Sequence, residues 1–228
     1  MALSAGAAWL RWLDRRSALA VDHFVGISTC VAERIERIYG RRADVIFPPV
    51  AAKPLGGAAS ATGDFLLSLG RLVPYKRVDL ALAAAERVGI PLIVAGDGPD
   101  RARLEGLAGR QTRFVGSVSE AEAGRLLSQC RAFVFCGEED FGIAPVEANA
   151  HGRPVVGYGR AGLLDTMIPG VTAELFTEQS VEAVADAIHR ALTRTWEPAA
   201  MRQNAERFGP EHFRRKFEAV VVATLSGN

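Results

Sequence analysis

The sequence contains few cysteines, and they are scattered. Cys30, Cys130 and Cys136 form neither a C-x-x-C motif nor a group with a nearby histidine. An odd count without such spacing argues against a disulfide framework and against a structural zinc site. The pattern is typical of a reducing compartment, so we expect a cytoplasmic protein.

Net charge and long apolar runs are also lacking. The chain carries 27 Lys and Arg against 26 Asp and Glu, a surplus of +1, which disfavours binding of nucleic acid through bulk positive charge. The apolar opening Met1–Leu10 stops at Arg11, so it is too short to span a bilayer, and it lacks the basic start of a signal peptide. With 49% hydrophobic and 23% charged residues, the composition is that of a globular protein.

The N-terminal stretch 7–20 predicts an amphipathic helix. Trp9, Trp12 and Leu13 recur on a partly helical period among arginines. Four outcomes stay open for this apolar stripe. It could meet a partner domain, self-associate, or touch the inner membrane surface as a peripheral anchor, or it could fold back on the chain's own sheet.

A strand–helix–strand unit follows, and after it a linker. The predicted strands are His23–Ile27 and Ala43–Phe47, around a helix that Ser28 caps and Gly40 ends. The segment Ala51–Gly63 is rich in Pro, Gly, Ala and Ser, as linkers are. We therefore predict a small N-terminal domain over 1–55 and a larger domain over 56–228.

Short apolar runs alternate with helical stretches from Asp64 onward, which predicts a parallel sheet with helices on both faces. The expected fold class is α/β, a Rossmann-like layer of five or six strands. The predicted strands are Phe65–Leu69, Pro91–Ala95, Arg113–Val115, Ala132–Phe135 and Pro154–Gly157. The predicted helices are Val78–Val88, Arg101–Leu107, Glu120–Gln129, Pro145–Ala150, Val181–Leu192 and Pro210–Leu225.

The loops after the strands are where such a sheet binds ligands. After Phe65–Leu69, Arg71 and Lys76 can converge on one point above the sheet, and Lys76 is one of only three lysines. A guanidinium, an ammonium and helix N–H groups together suit a diphosphate. A solvated basic loop explains this stretch about as well.

Two glycine-rich loops give weaker signals. Gly96-Asp97-Gly98 is best explained as a strand-to-helix turn with Asp97 as a local cap. The run 157–162 holds three glycines and Arg160, which suit a phosphate or a sugar, although a plain turn explains them almost as well.

The strongest signal is the acidic loop 137–148, in which three consecutive acids follow a buried strand. We expect Pro145 at the first helical position, so that the N–H groups of Gly142, Ile143 and Ala144 lie near the helix start and can receive an anion. Glu139 then lies in the loop before the helix and Glu147 in its first turn. Two carboxylates beside an anion pocket suit the hydroxyls of a sugar and a ribose.

Together these loops resemble the donor-binding half of the retaining, GT-B fold glycosyltransferases of family 4, and among them bacterial mannosyltransferases. The stretches that carry the resemblance are FLLSLGRLVPYKRVDLAL, LIVAGDGP, RFVGSVS and FVFCGEEDFGIAPVEANAHGRPVVGYGRAG. The most specific part of this resemblance is the acid pair Glu139 and Glu147, with seven residues between them, in combination with the GR…K motif of the loop after Phe65–Leu69. Residues 1–55 then correspond to a remnant of that family's N-terminal, acceptor-binding domain.

The resemblance implies a role for each matching residue. Arg71 and Lys76, next to Gly70, would hold the donor diphosphate and stabilise it as it leaves. Glu139 would bind the transferred sugar and Glu147 the ribose hydroxyls. The backbone of the remaining matched residues would lie beside the sugar and phosphate or near the base: Phe141, Gly142, Ile143, Val115 and Gly116.

The resemblance also implies substrates and partners. The expected donor is GDP-mannose, with a UDP-sugar as the alternative, no metal or other cofactor is expected, and the acceptor would be a glycan or a lipid-linked sugar. Only about fifty residues precede the linker in this sequence, so we expect the family's acceptor site to lie outside it. Where the family usually has Gly-Gly and then a Glu, this sequence has Arg160-Ala161-Gly162 leading to Asp165. A non-catalytic binding module or a split-gene subunit is therefore the alternative function. A dehydrogenase is disfavoured because no G-x-G-x-x-G follows the first strand.

Overall fold

The computed structural model describes residues 2–51 and 63–226, with side chains from residue 6 onward. Within these ranges the strands are Phe24–Gly26 (β1), Ala43–Val45 (β2), Leu66–Leu69 (β3), Leu92–Ala95 (β4), Thr112–Gly116 (β5), Ala132–Phe135 (β6), Val155–Tyr158 (β7) and Ala173–Phe176 (β8). The helices are Ala2–Ser17 (α1), Thr29–Tyr39 (α2), Val78–Val88 (α3), Arg101–Leu107 (α4), Glu120–Gln129 (α5), Ile143–Ala150 (α6), Gly162–Thr166 (α7), Val181–Thr193 (α8), Pro198–Glu206 (α9) and Pro210–Leu225 (α10). Single 3-10 turns cover Ala18–Ala20 and Pro74–Lys76.

The chain divides into two compact units, 1–49 with 210–228, and 50–209. The predicted boundary at residue 55 falls among residues 52–62 and lies outside the described residues. The predicted domain 56–228 differs from the second unit at its end, because the unit stops at Gly209 and α10 belongs to the first unit.

The first unit contains the predicted strand–helix–strand motif. β1 and β2 pair in parallel, from Phe24 opposite Ala43 to Gly26 opposite Val45. The Ser28 side chain accepts a hydrogen bond from the Val31 N–H, which confirms the predicted N-cap of α2. α2 ends as predicted at Gly40, whose φ of +64° suits glycine.

The apolar stripe of α1 is exposed in the described part of the chain. Trp9 is 60% exposed and Trp12 55% exposed, and of the side chains described between residues 6 and 20 only Ala18 is buried. Within the first unit, no described residue buries this stripe. Within the described ranges, no helix combines the length and the apolar character needed to cross a bilayer.

The second unit is a parallel α/β layer, as predicted. Its six strands run in the order β5-β4-β3-β6-β7-β8 and every neighbouring pair is parallel. The main apolar cluster lies between this sheet and the helices α3 and α8. On the opposite side α6 packs against α9 and against β6 and β7, so helices cover both faces.

Three elements of this unit were not predicted: β8, α7 and α9. β8 was not predicted because Glu174 interrupts the apolar pattern of its sequence. In the structure Glu174 is 7% exposed, and Arg190 and Arg194 neutralise its carboxylate at 3.2 and 2.6 Å. These arginines come from α8 and from the residue after it, so the pairing that makes a glutamate acceptable in a buried strand is tertiary.

Candidate functional site

The winding of the second unit reverses between β3 and β6. From β3 the chain proceeds outward through β4 and β5, and from β6 it proceeds the other way through β7 and β8. At such a reversal the loops after the two central strands diverge and leave a crevice at the carboxyl edge of the sheet. The loops after β3 and β6 are the basic and acidic loops singled out in the sequence.

The loop after β3 carries the cations. The Lys76 side chain folds back over Gly70, since a Cβ at Gly70 would lie 3.2 Å from Lys76 Nζ. Gly70 has a φ of +148° and donates its N–H to the Ala95 carbonyl at 3.0 Å, which fixes the start of the loop. Arg71 is exposed, and its guanidinium has no hydrogen bond or ion pair with any residue in the described part of the chain. Lys76 is thus fixed beside the crevice, and Arg71 is available next to it.

The loop after β6 meets this cation. Glu139 Oε1 lies 3.2 Å from Lys76 Nζ, and the two side chains are only 24% and 21% exposed. The oxygen is buried and makes no well-angled hydrogen bond with any described residue, so the pair is held by charge and proximity alone. Gly137 allows the close approach, because a Cβ there would lie 2.7 Å from the Lys76 Cα. The structure therefore brings Lys76 and Glu139 together.

Helix α6 begins two residues earlier than predicted. Its N-cap is Gly142, with a φ of +87° and no capping side chain, and Ile143 is the first helical residue. Pro145 is therefore the third helical residue and not the first. The N–H groups at this end carry the positive end of the helix dipole, which suits an anion. Phe141 is 3% exposed and packs edge-on against Phe208 at 5.4 Å, so only its backbone can reach a ligand.

Glu147 consequently lies in the second turn of α6, and the predicted first-turn position was wrong. Its side chain is partly buried, and burial raises the pKa of the carboxyl above its usual value. The nearby His151 opposes this rise and Glu120 adds to it. A half-buried carboxylate of this kind gains most from a ligand that donates hydrogen bonds.

Sequence reasoning missed His151. Its Nδ1 lies 2.9 Å from the Glu147 carbonyl, and its Nε2 is buried without a hydrogen-bond partner among the described residues. His151 follows α6 directly, four residues after Glu147, and this spacing was the available signal.

The loop after β7 closes the other side of the acidic loop. Gly162 donates its N–H to the Glu139 carbonyl at 2.9 Å, and a Cβ at Gly162 would lie 2.4 Å from the Phe141 Cα. Ala161 adopts φ +48° and ψ −127°, a conformation that favours glycine. Arg160 is exposed. Packing thus explains Gly162, and the strain at Ala161 marks this loop as tightly constrained.

The remaining predicted residues lie further along the same edge. Val115 and Gly116 end β5, which is separated from β3 by β4. Gly116 accepts a hydrogen bond from the Gly96 N–H at 2.7 Å. In the Gly96–Gly98 loop, a Cβ at Gly98 would lie 2.2 Å from the Leu72 carbonyl oxygen, and Asp97 caps the Gly98 N–H at 2.7 Å. These contacts confirm the turn interpretation of that loop.

No metal-ligand cluster is visible in the part of the chain that the structure describes: no three His, Cys, Asp or Glu side chains there are grouped as an ion would require.

Comparison with known proteins identifies the class. The family model for glycosyl transferases group 1 matches residues 57–208, and the chain belongs to this family of GT-B fold glycosyltransferases. It is 30% identical to a glycogen synthase of Mycobacterium tuberculosis, over 94% of this chain and 54% of the relative. It is 31% identical to a GDP-mannose-dependent alpha-mannosyltransferase of the same organism, over 83% of this chain and 53% of the relative. The chain thus spans about half the length of these curated relatives.

Solved structures agree on the fold. The crystal structure of Anabaena Alr3699/HepE in complex with UDP and glucose superposes with a TM-score of 0.79 at 18% identity, over 92% of this chain and 67% of the other. The apo form of the lipopolysaccharide outer core galactosyltransferase WaaB gives a TM-score of 0.75 at 20% identity, over 89% and 62%.

Proposed function

We propose that this chain is the donor-binding half of a retaining hexosyltransferase that uses a nucleotide-diphospho-sugar. The observation that carries the proposal is the Lys76–Glu139 pair, 3.2 Å apart, where the winding of the sheet reverses. A cation for phosphate and a carboxylate for sugar hydroxyls stand side by side there, next to the positive end of α6.

Each predicted residue takes a role in this proposal. Lys76 and Arg71 neutralise the charge that develops on the departing diphosphate, together with N–H groups of Gly142 and Ile143 at the start of α6. Such fixed charges stabilise the leaving group without reorganising, so the proposal needs no divalent ion. Glu139 binds the transferred sugar.

The other end of the donor lies further from the reacting bond. Glu147 accepts hydrogen bonds from the ribose hydroxyls, and the backbone at Val115 and Gly116 lies near the base. The partly buried Glu147 supports this assignment, because a ribose would replace the hydrogen bonds that burial removes.

The proposed donor is GDP-mannose, with UDP-glucose as the competing candidate. Two relatives that are named GDP-mannose-dependent mannosyltransferases support mannose, while the structural neighbour solved with UDP and glucose supports the alternative. The proposed acceptor is a glycan or a lipid-linked sugar.

The acceptor side is assigned to polypeptide outside this half. The relatives are about twice as long as the part matched here, and transfer requires a wall that positions the attacking hydroxyl. Trp9 and Trp12 on α1 expose an apolar stripe that suits contact with that polypeptide. Sedimentation with anionic vesicles would assign the stripe to a membrane surface instead, and concentration-dependent dimerisation would assign it to self-association.

Calorimetric titration of the 228-residue protein with GDP, UDP, GDP-mannose and UDP-glucose tests the donor assignment. We expect GDP and GDP-mannose to bind more tightly than their uridine counterparts. Binding of the uridine pair alone would replace mannose by glucose as the proposed sugar. Absence of binding for all four would overturn the donor-site proposal.

A transfer assay tests the rest. We expect donor binding with little or no transfer by the isolated chain, and an α-linked product by NMR when the acceptor half is supplied. EDTA should leave donor binding unchanged. Turnover by this chain alone at about 1–10³ per second would contradict the division into halves.

A further inference from the structure

A cluster of buried polar side chains lies behind the candidate site, in the second unit. Asn149 on α6 is fully buried and Asn204 on α9 is 3% exposed. The Nδ2 of Asn204 donates to the Oδ1 of Asn149 at 3.0 Å and to the Thr166 carbonyl at 2.7 Å. Two asparagines in contact in a core are costly unless every donor and acceptor finds a partner.

Every polar atom of the two side chains does find a partner. Asn149 Nδ2 donates to the carbonyls of Arg153 and Thr172 at 3.1 and 3.3 Å. Asn204 Oδ1 accepts from Arg207 at 2.8 Å. The pair therefore connects five segments: α6, the turn after it at Arg153, the turn before β8, the end of α7, and α9.

The connected segments are those that carry or enclose the acidic loop. α6 bears Glu147 and supplies the helix start at the site. α7 begins at Gly162, whose N–H holds the Glu139 carbonyl at 2.9 Å, and it ends at Thr166, which the network holds. Phe208, which follows α9, packs against Phe141. α9 thus supports both sides of the loop from behind.

We infer that Asn149 and Asn204 are positioning residues that fix α6 and α7 against α9, and thereby set the Glu139 and Glu147 carboxylates for the donor. An apolar contact between α6 and α9 would bury the same surface but could slide, whereas hydrogen bonds of fixed direction define one register. This inference rests on the proposed function only for the identity of the ligand.

The test uses the full chain with Asn204→Ala and Asn149→Ala, titrated with GDP and with UDP well below the unfolding temperature. The control is Ile188→Val, or Ile188→Ala if a larger loss of thermal stability must be matched. Ile188 is buried in the separate cluster between the sheet, α3 and α8. We expect about tenfold weaker nucleotide binding for each asparagine variant and no change for the control at equal loss of stability.

Coupling to Glu147 separates positioning from general stability. In a Glu147→Gln background the asparagine substitutions should cost less than about twofold in affinity for free GDP or UDP. Of the two carboxylates that they position, Glu147 is the one assigned to the ribose, and these ligands carry no transferred sugar for Glu139. Undiminished losses in that background, equal losses in the control, or unchanged affinity in the single variants would each overturn the inference.

Hydrogen exchange tests the inference without a ligand. Asn204→Ala should accelerate amide exchange in 139–147 and 162–166, and Ile188→Val should not. A parent protein that binds neither GDP nor UDP would count against the proposed function, and exchange would then decide the positioning role. Uniform acceleration, or none, would overturn it.

Discussion

The Lys76–Glu139 pair makes an unusual prediction: removing the acid should strengthen binding of a free nucleoside diphosphate. Glu139 lies 3.2 Å from the ammonium of Lys76, so its carboxylate competes with the phosphates for that cation. Glu139→Gln keeps the shape of the side chain but releases Lys76. Lys76→Gln removes the cation and should weaken the same ligand.

The magnitudes follow from burial and geometry. Exposed ion pairs contribute about 0.2–1 kcal/mol, and hydrogen bonds to charged groups about 1.5–3 kcal/mol. With side chains 21% and 24% exposed but no well-angled hydrogen bond, the pair belongs between these ranges, at about 1 kcal/mol. Glu139→Gln should therefore tighten GDP or UDP binding by about fivefold, and Lys76→Gln should loosen it by roughly 10–100-fold.

Calorimetry with GDP, UDP and the corresponding nucleotide-sugars measures these changes. Glu138→Gln is the matched control, since it removes an exposed carboxylate one residue away. Glu139→Gln should also weaken the nucleotide-sugar relative to the free diphosphate, because the sugar loses its acceptor. If Glu139→Gln and Glu138→Gln changed the affinity for the diphosphate equally, only the long-range electrostatic field would matter, and the argument from the Lys76–Glu139 contact would fail.

Three further predictions concern conformation, pH and thiol reactivity. Ala161→Gly should raise the free energy of unfolding by about 1 kcal/mol, because it relieves the strained backbone at this positive φ. Gly162→Ala should lower it, because the added Cβ would clash with the acidic loop at Phe141. The midpoints of urea unfolding measure both changes. Burial raises the pKa of Glu147, so this carboxyl binds a proton more readily in the folded protein than in the unfolded one. The charged carboxylate therefore lowers the free energy of unfolding above the folded-state pKa, and this destabilisation disappears as the pH falls. Glu147→Gln should therefore stabilise the protein at pH 7 but not near pH 4. Thermal melts at the two pH values measure this, and a lower melting temperature for the variant at pH 7 would contradict the reasoning. Cys30 is partly exposed, while burial raises the pKa of the Cys130 thiol to about 12. Cys30 should therefore react with Ellman's reagent in the native state, and Cys130 only after unfolding. Equal reaction rates of the two thiols would contradict the burial of Cys130.

The sequence by itself determined the architecture of the second unit, because its local signals agree with one another. Apolar runs alternate with amphipathic stretches, so helices such as α3 and α5 were predicted at their observed bounds. At the site, the acidic loop after β6 and the lysine after β3 could be assigned to one edge of the sheet, since parallel strands end at the same side.

Only the tertiary structure decided how these parts act on one another. The start of α6 at Ile143 depends on Gly142, which has a left-handed conformation and lies close to Leu163 of α7. Pro145, the third residue of the helix, led to the wrong register. β8 depends on arginines that are distant in sequence, and the Asn149–Asn204 contact joins residues 55 positions apart. Periodicity and capping act over a few residues and can be read locally. Charge compensation, close backbone approach and buried hydrogen bonds depend on which distant segments meet, and only the folded chain specifies that.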